Sequence, residues 1–431
     1  MPIIDLPYDK TTLQATLPDN LTVRTLGPRA MAALHDPKAA FLAACESPKG
    51  MPPLSALASG TSGPVLLVVN DHTRVSGKEQ SLIWLLDALN ENGIPDDRVT
   101  VLVALGSHGK ASDEKLRQTI GPAIDRVEVI QHDPSGAMVD CGATSRGTPV
   151  RVNARLMEAG LVILSSAVVH HYFAGFCGGR KMVLPGLSSL ETIAANHSLV
   201  FEGSGDTGGR HPKVLSGALD GNPVHEDMLE GARLALGDRP CISVVAVLTP
   251  DKEFACFSAG ELDESHRRAC IFVDAHNVVE IDSPADLVLA SAGGYPKDLN
   301  FIQSHKGMDN AVKALKPGGT LLYVMGCSDG YGNPAIEEFA PLDLKTIRAR
   351  LAKNYVVYGQ TVYSAKEKAL RYRIVVVSRM DPEFLRSLGM VPAAGLEDAI
   401  EAIREDISRA QLAYHIPRGD ITLPRLSTSP P

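Results

Sequence analysis

The chain has 431 residues, a formal net charge of −8 and a hydrophobic content of 44%. This length exceeds one ordinary domain, so we expect two, and the composition is typical of a soluble globular protein. The negative charge argues against nucleic acid as a partner, no apolar stretch is long enough for a membrane span, and the N-terminus lacks the pattern of a signal peptide.

The first predicted elements alternate between strand and helix. After a proline-containing extension over residues 1–60, the sequence predicts strands at 64–69, 99–105, 127–130 and 161–164 and helices at 78–92 and from 112. This βαβα alternation is typical of a parallel sheet with helices on both faces. Polar loops follow three of the strands, and ligands of open α/β sheets bind at that edge. We therefore expect these loops to converge on one crevice.

A second α/β unit begins near residue 275. Its predicted strands lie at 286–290, 320–324 and 373–377, and its predicted helices at 300–315, 383–388 and 397–409. We expect two Rossmann-like domains with the active site in the cleft between them: an N-terminal domain over 1–274, which carries the candidate site residues below, and a C-terminal domain over 275–423. Residues 424–431 are expected to form a disordered tail. The glycine-rich stretch 203–223 is expected to form a lid or a subunit contact, which leaves a homo-oligomer open.

The cysteines point to a reducing compartment. All seven lack a CxxC spacing and their number is odd. Reduced thiols in a cytoplasmic protein are the simplest interpretation.

The segment from His170 to His197 contains the highest concentration of candidate functional residues. Paired glycines at 178 and 179 precede Arg180 and Lys181, which suggests backbone held close to an anion with cations to neutralise it. Histidines on both sides add metal-ligand or proton-transfer capacity. Each feature alone also fits a tight turn, exposed cations or a packed helix histidine. Their combination favours an active-site loop.

Other candidates follow predicted strands. Asp71-His72-Thr73-Arg74 follows the first buried strand, and an arginine there can hold a carboxylate through two parallel hydrogen bonds. His108 lies between small residues at the next strand end, which favours acid/base work. Gln303 and Lys306 are spaced to point the same way from one helix. Ordinary capping or surface roles remain the alternatives.

Together these motifs resemble the nickel-pincer-dependent lactate racemase family. The matching pieces, in chain order, are Asp71-x-Thr73-Arg74, Gly106-x-His108, His171, Gly178-Gly179, Lys181, Pro185-Gly186, His197, Gly293-Gly294-Tyr295-Pro296, Gln303 and Lys306. The resemblance implies a 2-hydroxy acid racemase or epimerase that works by hydride abstraction and return. It also implies a nickel-pincer cofactor (pyridinium-3-thioamide-5-thiocarboxylic acid mononucleotide) made by cofactor-biosynthesis proteins.

The resemblance assigns a role to each matching residue. It implies that Lys181 attaches the cofactor covalently, that His197 binds nickel, and that His108 and His171 are the acid/base pair. It further implies cofactor contacts from Asp71, Thr73, Gly178 and Gly179, and substrate contacts from Arg74, Tyr295, Gln303 and Lys306.

Several alternatives stay open from the residues alone. His170 adjoins His171 and is also a candidate base, and Arg180 suits either a cofactor phosphate or a second substrate carboxylate. Val75 and Ser76 stand where the family often has prolines, and Ile302 where it often has tyrosine, so the substrate's side chain is undetermined. A non-catalytic nickel- or nucleotide-binding protein, or a metal-dependent hydrolase or lyase, would use the same histidines.

Overall fold

The computed structural model describes residues 2–203 and 208–427. The strands are β1 (Ile3–Tyr8), β2 (Thr11–Thr16), β3 (Thr22–Thr25), β4 (Val65–Asn70), β5 (Val99–Ala104), β6 (Glu128–Gln131), β7 (Met138–Ala143), β8 (Pro149–Asn153), β9 (Leu161–Ala167), β10 (His170–His171), β11 (Gly175–Phe176), β12 (Cys241–Leu248), β13 (Phe254–Gly260), β14 (Val278–Ile281), β15 (Ala285–Ser291), β16 (Leu315–Val324), β17 (Arg373–Val377), β18 (Val391–Ala393), β19 (Leu412–Ile416) and β20 (Leu423–Leu426).

The α-helices are α1 (Pro37–Glu46), α2 (Leu54–Ser59), α3 (Lys78–Glu91), α4 (Asp113–Ile120), α5 (Arg155–Glu158), α6 (Leu190–Ser198), α7 (Pro223–Leu236), α8 (Leu262–Asn277), α9 (Phe301–Ala311), α10 (Pro334–Phe339), α11 (Leu344–Lys353), α12 (Val357–Arg371), α13 (Pro382–Ser387), α14 (Leu396–Ala402) and α15 (Arg404–Arg409). Short 3₁₀ turns include Gly179–Met182 and Val312–Ala314.

The described residues divide into two compact units. The central unit comprises Ala30–Val200 and His211–Asp274; the terminal unit comprises the described parts of Met1–Arg29, Phe201–Arg210 and Ala275–Pro431. This division differs from the predicted one at the N-terminus, because β3 pairs with β19 and so extends the C-terminal sheet. It also differs at the described residues of 201–210, which belong to the terminal unit.

The expected tail also differs from the structure at its start. Residues 424–426 form part of β20, which pairs with β14 through main-chain hydrogen bonds. Residues 428–431 lie outside the described residues, as do residues 204–207 of the predicted long loop.

The central unit is built on a six-stranded sheet in the order β13-β12-β9-β4-β5-β6. All neighbouring pairs are parallel except β12 with β13. Val65, Leu67 and Val69 of β4 pack toward α1, α2 and α3, while Leu66 and Val68 pack toward α5 and α7. Because helices cover both faces, β4 is a continuous apolar run without alternation. The predicted α/β arrangement with parallel strands is confirmed here.

The terminal unit has its own six-stranded sheet, in the order β18-β17-β16-β15-β19-β3, in which every pair is parallel. One face packs against α14, α15 and the β1–β2 hairpin. The predicted helix at 300–315 ends earlier, at Ala311, and continues as a 3₁₀ turn. The predicted helix at 397–409 is divided into α14 and α15 at Ile403, whose φ of −108° and ψ of 16° are not helical.

All seven cysteines are free, and burial raises the pKa of Cys45, Cys241 and Cys327 to about 12. These thiols therefore stay protonated and act as small core residues.

In residues 2–203 and 208–427, no helix combines the length and apolar character that a bilayer span needs.

Candidate active site

The carboxyl ends of β4 and β5 bring Asp71 and His108 together. Asp71 is 3% exposed. Its Oδ2 lies 2.5 Å from His108 Nδ1, and its Oδ1 accepts hydrogen bonds from the Thr73 N–H and hydroxyl at 2.8 and 2.6 Å. Burial by itself would raise the pKa of Asp71, but the hydrogen bond and charge of His108 lower it overall, well below its ordinary value. When the His108 ring carries a single proton, the ionised Asp71 holds that proton on Nδ1 and leaves the Nε2 lone pair for a base.

Lys78 supports the loop that carries Asp71 and Arg74. Its Nζ donates to the carbonyl oxygens of Asp71 and Arg74 at 3.0 and 2.9 Å. Lys78 is 3% exposed, and burial lowers its pKa to about 8. A cation in the first turn of a helix lies near the positive end of the helix dipole, and a buried cation loses its hydration. Both effects are unfavourable, and the two hydrogen bonds to the loop offset part of their free-energy cost. Sequence reasoning missed this role, since a lysine at a helix start looks like a surface residue.

The alternative role of Asp71 as a helix cap is wrong. The N-cap of α3 is Gly77, which has a φ of 66°. A Cβ on Gly77 would meet the Phe254 ring at 2.1 Å, so only glycine fits this position. Asp71 lies six positions earlier and is free for the pair with His108.

The side chains of His170 and His171 lie in different surroundings. The His170 Nε2 lies 2.7 Å from Asp274 Oδ1 on α8, and its side chain is 3% exposed. The His171 Nδ1 accepts a hydrogen bond from the Ala174 N–H at 3.3 Å. Neutral His171 therefore carries its proton on Nε2. Because successive residues of a strand point to opposite faces, one of the pair packs inward on α8 while the other faces Phe173.

The paired glycines allow close packing of the loop that precedes Lys181. Gly178 and Gly179 have φ of 75° and 54°. A Cβ at Gly178 would meet the Ala167 carbonyl oxygen at 2.8 Å, and one at Gly179 would meet the His266 side chain at 2.9 Å. Approach to strand β9 and helix α8 thus explains both glycines without any ligand.

The buried side chain of Arg180 stabilises the same loop. It is 1% exposed, and its guanidinium donates to the Ala174 carbonyl at 2.7 Å and lies 2.9 Å from His266 Nε2. Burial lowers the pKa of Arg180 to about 10. The prediction that Arg180 meets a cofactor phosphate or a second substrate carboxylate is not supported by this inward position.

The Phe173 ring contacts the side chains of three candidate residues. The His171 ring meets it edge to face with centroids 4.5 Å apart, and the His197 ring does so at 5.0 Å. The Lys181 Nζ lies 5.5 Å from the Phe173 centroid, within the range of a cation–π contact. Sequence reasoning missed Phe173, because an aromatic residue within an apolar run gives no signal of a site.

Burial sets the ionisation of Lys181 and His197. It lowers the pKa of Lys181 to about 7, with further lowering from Arg180 and Arg74. Burial, followed by the charges of Lys181 and His108, lowers the pKa of His197 to about 3. A large share of Lys181 is therefore a neutral amine at neutral pH, and His197 is a neutral imidazole. Both are in the form that nucleophilic attack or metal ligation requires.

A backbone contact ties the His108 loop to the turn after Lys181. The Gly106 N–H donates to the Gly186 carbonyl at 2.9 Å. Gly186 has no room for a side chain, since a Cβ there would meet the Met182 carbonyl oxygen at 2.2 Å. The two predicted motifs are thus neighbours. Within the central unit, the structure brings together Asp71, Thr73, Arg74, His108, His171, Lys181 and His197.

The remaining candidates belong to the terminal unit. Lys306 Nζ donates to Gln303 Oε1 at 2.6 Å, which confirms that both side chains project from the same side of α9. Asn300 caps this helix through a bond from the Gln303 N–H. Tyr295 is 52% exposed, and Lys10 Nζ lies 5.2 Å from the centroid of its ring. Gln303 and Lys306 of α9 and Tyr295 of the loop that precedes it all belong to the terminal unit.

No group of three or more His, Cys, Asp or Glu side chains suited to a metal ion occurs among the residues that the structure describes. The histidines instead have separate partners: Asp71 for His108, the Ala174 N–H for His171 and Asp274 for His170.

Replacing Lys181 with methionine is expected to raise the free energy of unfolding at pH 7. The folded-state pKa of about 7 lies below the ordinary 10.5, so between these values the unfolded chain binds more protons and wild-type stability rises with pH. Lys181→Met lacks this contribution, so its advantage should be largest below about pH 7 and fade toward about pH 10. Urea unfolding of both apoproteins across this range measures the difference. Parallel pH profiles would contradict the assignment.

Comparisons with known proteins cover nearly the whole chain. The family model described as the lactate racemase N-terminal domain matches residues 8–208, and the lactate racemase C-terminal domain matches residues 281–420. The chain is 31% identical to a lactate racemase of Lactiplantibacillus plantarum, over 97% of this chain and 99% of that protein. It is 28% identical to a lactate racemase of Thermoanaerobacterium thermosaccharolyticum, over 96% and 97%.

Solved structures give the same relationship. The lactate racemase apoprotein from Thermoanaerobacterium thermosaccharolyticum matches with a TM-score of 0.88 and 26% identity, over 98% of this chain and 100% of that chain. A protein from Thermotoga maritima matches with a TM-score of 0.64 at 18% identity, over 87% and 96%. The second likeness concerns the fold alone.

Proposed function

Because the chain belongs to the lactate racemase family and is therefore an isomerase, we propose that it interconverts the stereoisomers of a 2-hydroxy acid with a nickel-pincer nucleotide attached to Lys181. The observation that carries this proposal is the meeting of His171, Lys181 and His197 on the ring of Phe173. When bound, the cofactor supplies a site that takes and returns a hydride at the substrate Cα.

The ionisation of the side chains fits that cofactor. Covalent attachment needs a neutral amine, and burial lowers the pKa of Lys181 to about 7. A nickel ligand must be a neutral imidazole, and burial lowers the pKa of His197 to about 3. A single imidazole suits nickel whose other ligands are sulfur and carbon atoms of the cofactor. We further propose that Asp71, Thr73, Gly178 and Gly179 contact the nucleotide.

The two catalytic histidines are set in complementary proton states. His108 presents an Nε2 lone pair, since its Nδ1 proton is held by Asp71, whereas His171 carries its proton on Nε2. His108 is therefore ready to accept the substrate hydroxyl proton. We propose that His171 gives a proton to the opposite stereoisomer's oxygen from its imidazolium form, since a neutral imidazole that lost its proton would become an imidazolate. After one turnover His108 is the imidazolium and His171 the neutral imidazole, so the two roles are exchanged, as racemisation in both directions requires.

The cations near the loops suit the substrate carboxylate. Arg74 has a planar guanidinium suited to a carboxylate, and its loop is held by Lys78. We propose that Lys306, Gln303 and Tyr295 of the terminal unit also bind substrate. A clamped carboxylate keeps Cα in place while the ketone face changes, so that hydride and proton return to the correct atoms.

Chiral analysis of loaded protein tests this function. The chain is co-produced with cofactor-biosynthesis proteins, then examined by peptide mass spectrometry, nickel analysis and incubation with single enantiomers of 2-hydroxy acids. An adduct on the Lys181 peptide, nickel, and conversion of one enantiomer into a mixture are expected. Loaded protein that converts no 2-hydroxy acid would favour a non-catalytic binding role. An unmodified Lys181 with hydrolytic or lyase activity would contradict the proposal.

His171→Ala is expected to lose racemisation, whereas His170→Ala should retain most of it. The His171 ring packs against the Phe173 ring, which Lys181 also contacts, while His170 pairs with Asp274. Loss of a general acid or base typically costs roughly 10²- to 10⁴-fold in rate. Initial rates from each enantiomer, normalised to nickel content, measure the effect. A larger loss in His170→Ala would reverse the assignment.

A further inference from the structure

Behind His197 lies a chain of buried polar side chains that the proposed chemistry does not use. Asn196 and Asp227 are both 0% exposed. Asn196 Nδ2 donates to the Val224 carbonyl at 3.1 Å and to Asp227 Oδ2 at 2.8 Å. Its Oδ1 faces the other way and lies 3.1 Å from His197 Nδ1.

Asp227 fixes the orientation of the Asn196 amide. The Asp227 carboxylate also accepts hydrogen bonds from the hydroxyls of Thr144 and Thr148 at 2.5 and 2.8 Å. A carboxylate that takes these protons has only acceptors to offer Asn196. A flipped amide would place the Asn196 oxygen against Asp227 and the Val224 carbonyl, with three acceptors facing one another. The amide oxygen must therefore point to His197.

The fixed amide in turn selects the tautomer of His197. An amide oxygen only accepts, so the nitrogen that faces it, Nδ1, must carry the imidazole proton. The Nε2 of His197 is then left with its lone pair.

We propose that Asn196 and Asp227 are positioning residues that hold His197 in the Nδ1–H tautomer and so present Nε2 as a metal ligand. The tautomer follows from the hydrogen bonds alone, and its use for nickel rests on the proposed function. Metal-binding histidines generally donate their other N–H to a partner that fixes the ring, and removal of that partner weakens metal binding roughly 10- to 100-fold.

A purely structural role for the same side chains makes a different prediction. Asp227 joins α7 to α6 and to the turn between β7 and β8, so its loss is expected to lower stability in either case. Only the positioning role requires a particular proton on His197. The tautomer, and not stability, is therefore the informative quantity.

The test is a long-range ¹H–¹⁵N spectrum of apoprotein labelled with ¹⁵N-histidine, with the His197 signal assigned from His197→Gln. We expect Nδ1–H in the wild type and a shift toward Nε2–H in Asn196→Ala and in the isosteric Asp227→Asn. Asn153→Ala is the matched control, because Asn153 Nδ2 lies 3.1 Å from His132 Nδ1; it should alter His132 and leave His197 unchanged.

Each outcome has a definite meaning. Nε2–H in the wild type overturns the inference, and this result needs no variant to fold. Nδ1–H that persists in a folded Asn196→Ala overturns the role of Asn196. In loaded protein, we expect Asn196→Ala to bind nickel roughly 10- to 100-fold more weakly. Failure of the proposed function would appear separately, as an unmodified Lys181, and would leave the tautomer result intact.

Discussion

Lys181→Ala is expected to abolish cofactor attachment and racemisation together. The variant removes the amine whose pKa is lowered to about 7, and no cofactor can be attached without it. In the proposed mechanism the cofactor carries out the hydride transfer, so the rate should fall to that of the solution reaction and not to an intermediate value. Intact mass, nickel content and chiral analysis should all change in the same variant.

Two further variants sharpen this result. Lys181→Arg keeps a cation beside Phe173 but has no amine of lowered pKa, so it should be as inactive as the alanine variant. Lys110→Ala removes a surface lysine that pairs with Asp133 at 3.0 Å and should load and react normally. Racemisation by Lys181→Arg without an adduct would show that the lysine serves only as a charge, and would exclude covalent attachment.

The local motifs of the central unit could be predicted from sequence because each follows a buried strand. Continuous apolar runs locate β4 and β5, and the carboxyl ends of parallel strands meet at one edge of a sheet. Asp71 and His108 were accordingly expected to lie near each other, and they form a hydrogen bond. The start of the helix predicted from residue 112 agrees with the structure, in which Ser112 is the N-cap of α4.

Other features depend on contacts that sequence spacing does not reveal. Arg180 adjoins Lys181 in the chain, yet it turns inward to His266 because the loop packs on α8. The same packing leaves no room for a side chain at Gly178 and Gly179. Asp227 lies 31 positions from Asn196, so no local pattern links it to His197. Buried polar partners of this kind are recognisable only from the folded chain.

The placement of β3 has a similar cause. A short strand of mixed burial near the N-terminus carries no signal for the sheet that it will join. Its pairing with β19 depends on an exposed sheet edge that is formed nearly 400 residues later in the chain, since Thr22 lies opposite Leu412. Prediction from adjacent elements therefore assigned residues 1–29 to the wrong neighbours, although the class of fold was correct.

Asp71→Asn is expected to reduce racemisation by roughly 10²- to 10⁴-fold while leaving the Lys181 adduct and nickel in place. An asparagine can turn its NH₂ toward His108 Nδ1, which would then accept a hydrogen bond and move the imidazole proton to Nε2. His108 would lose its lone pair at the nitrogen proposed to react, and both histidines of the proposed acid/base pair would start protonated on Nε2. Two donors and no base give no path for the substrate hydroxyl proton.

The pattern of losses separates this mechanism from a simple change of loop structure. His108→Ala should lose about as much rate as Asp71→Asn, and the double variant little more, because the two side chains act as one unit. Asp133→Asn is the matched control and should react normally, because the Asp133 side chain pairs with the exposed Lys110 and accepts a hydrogen bond from the Ser135 N–H. Initial rates from both enantiomers at equal nickel content measure each value. Additive losses in the double variant would mean that Asp71 acts on the cofactor or the loop independently of His108.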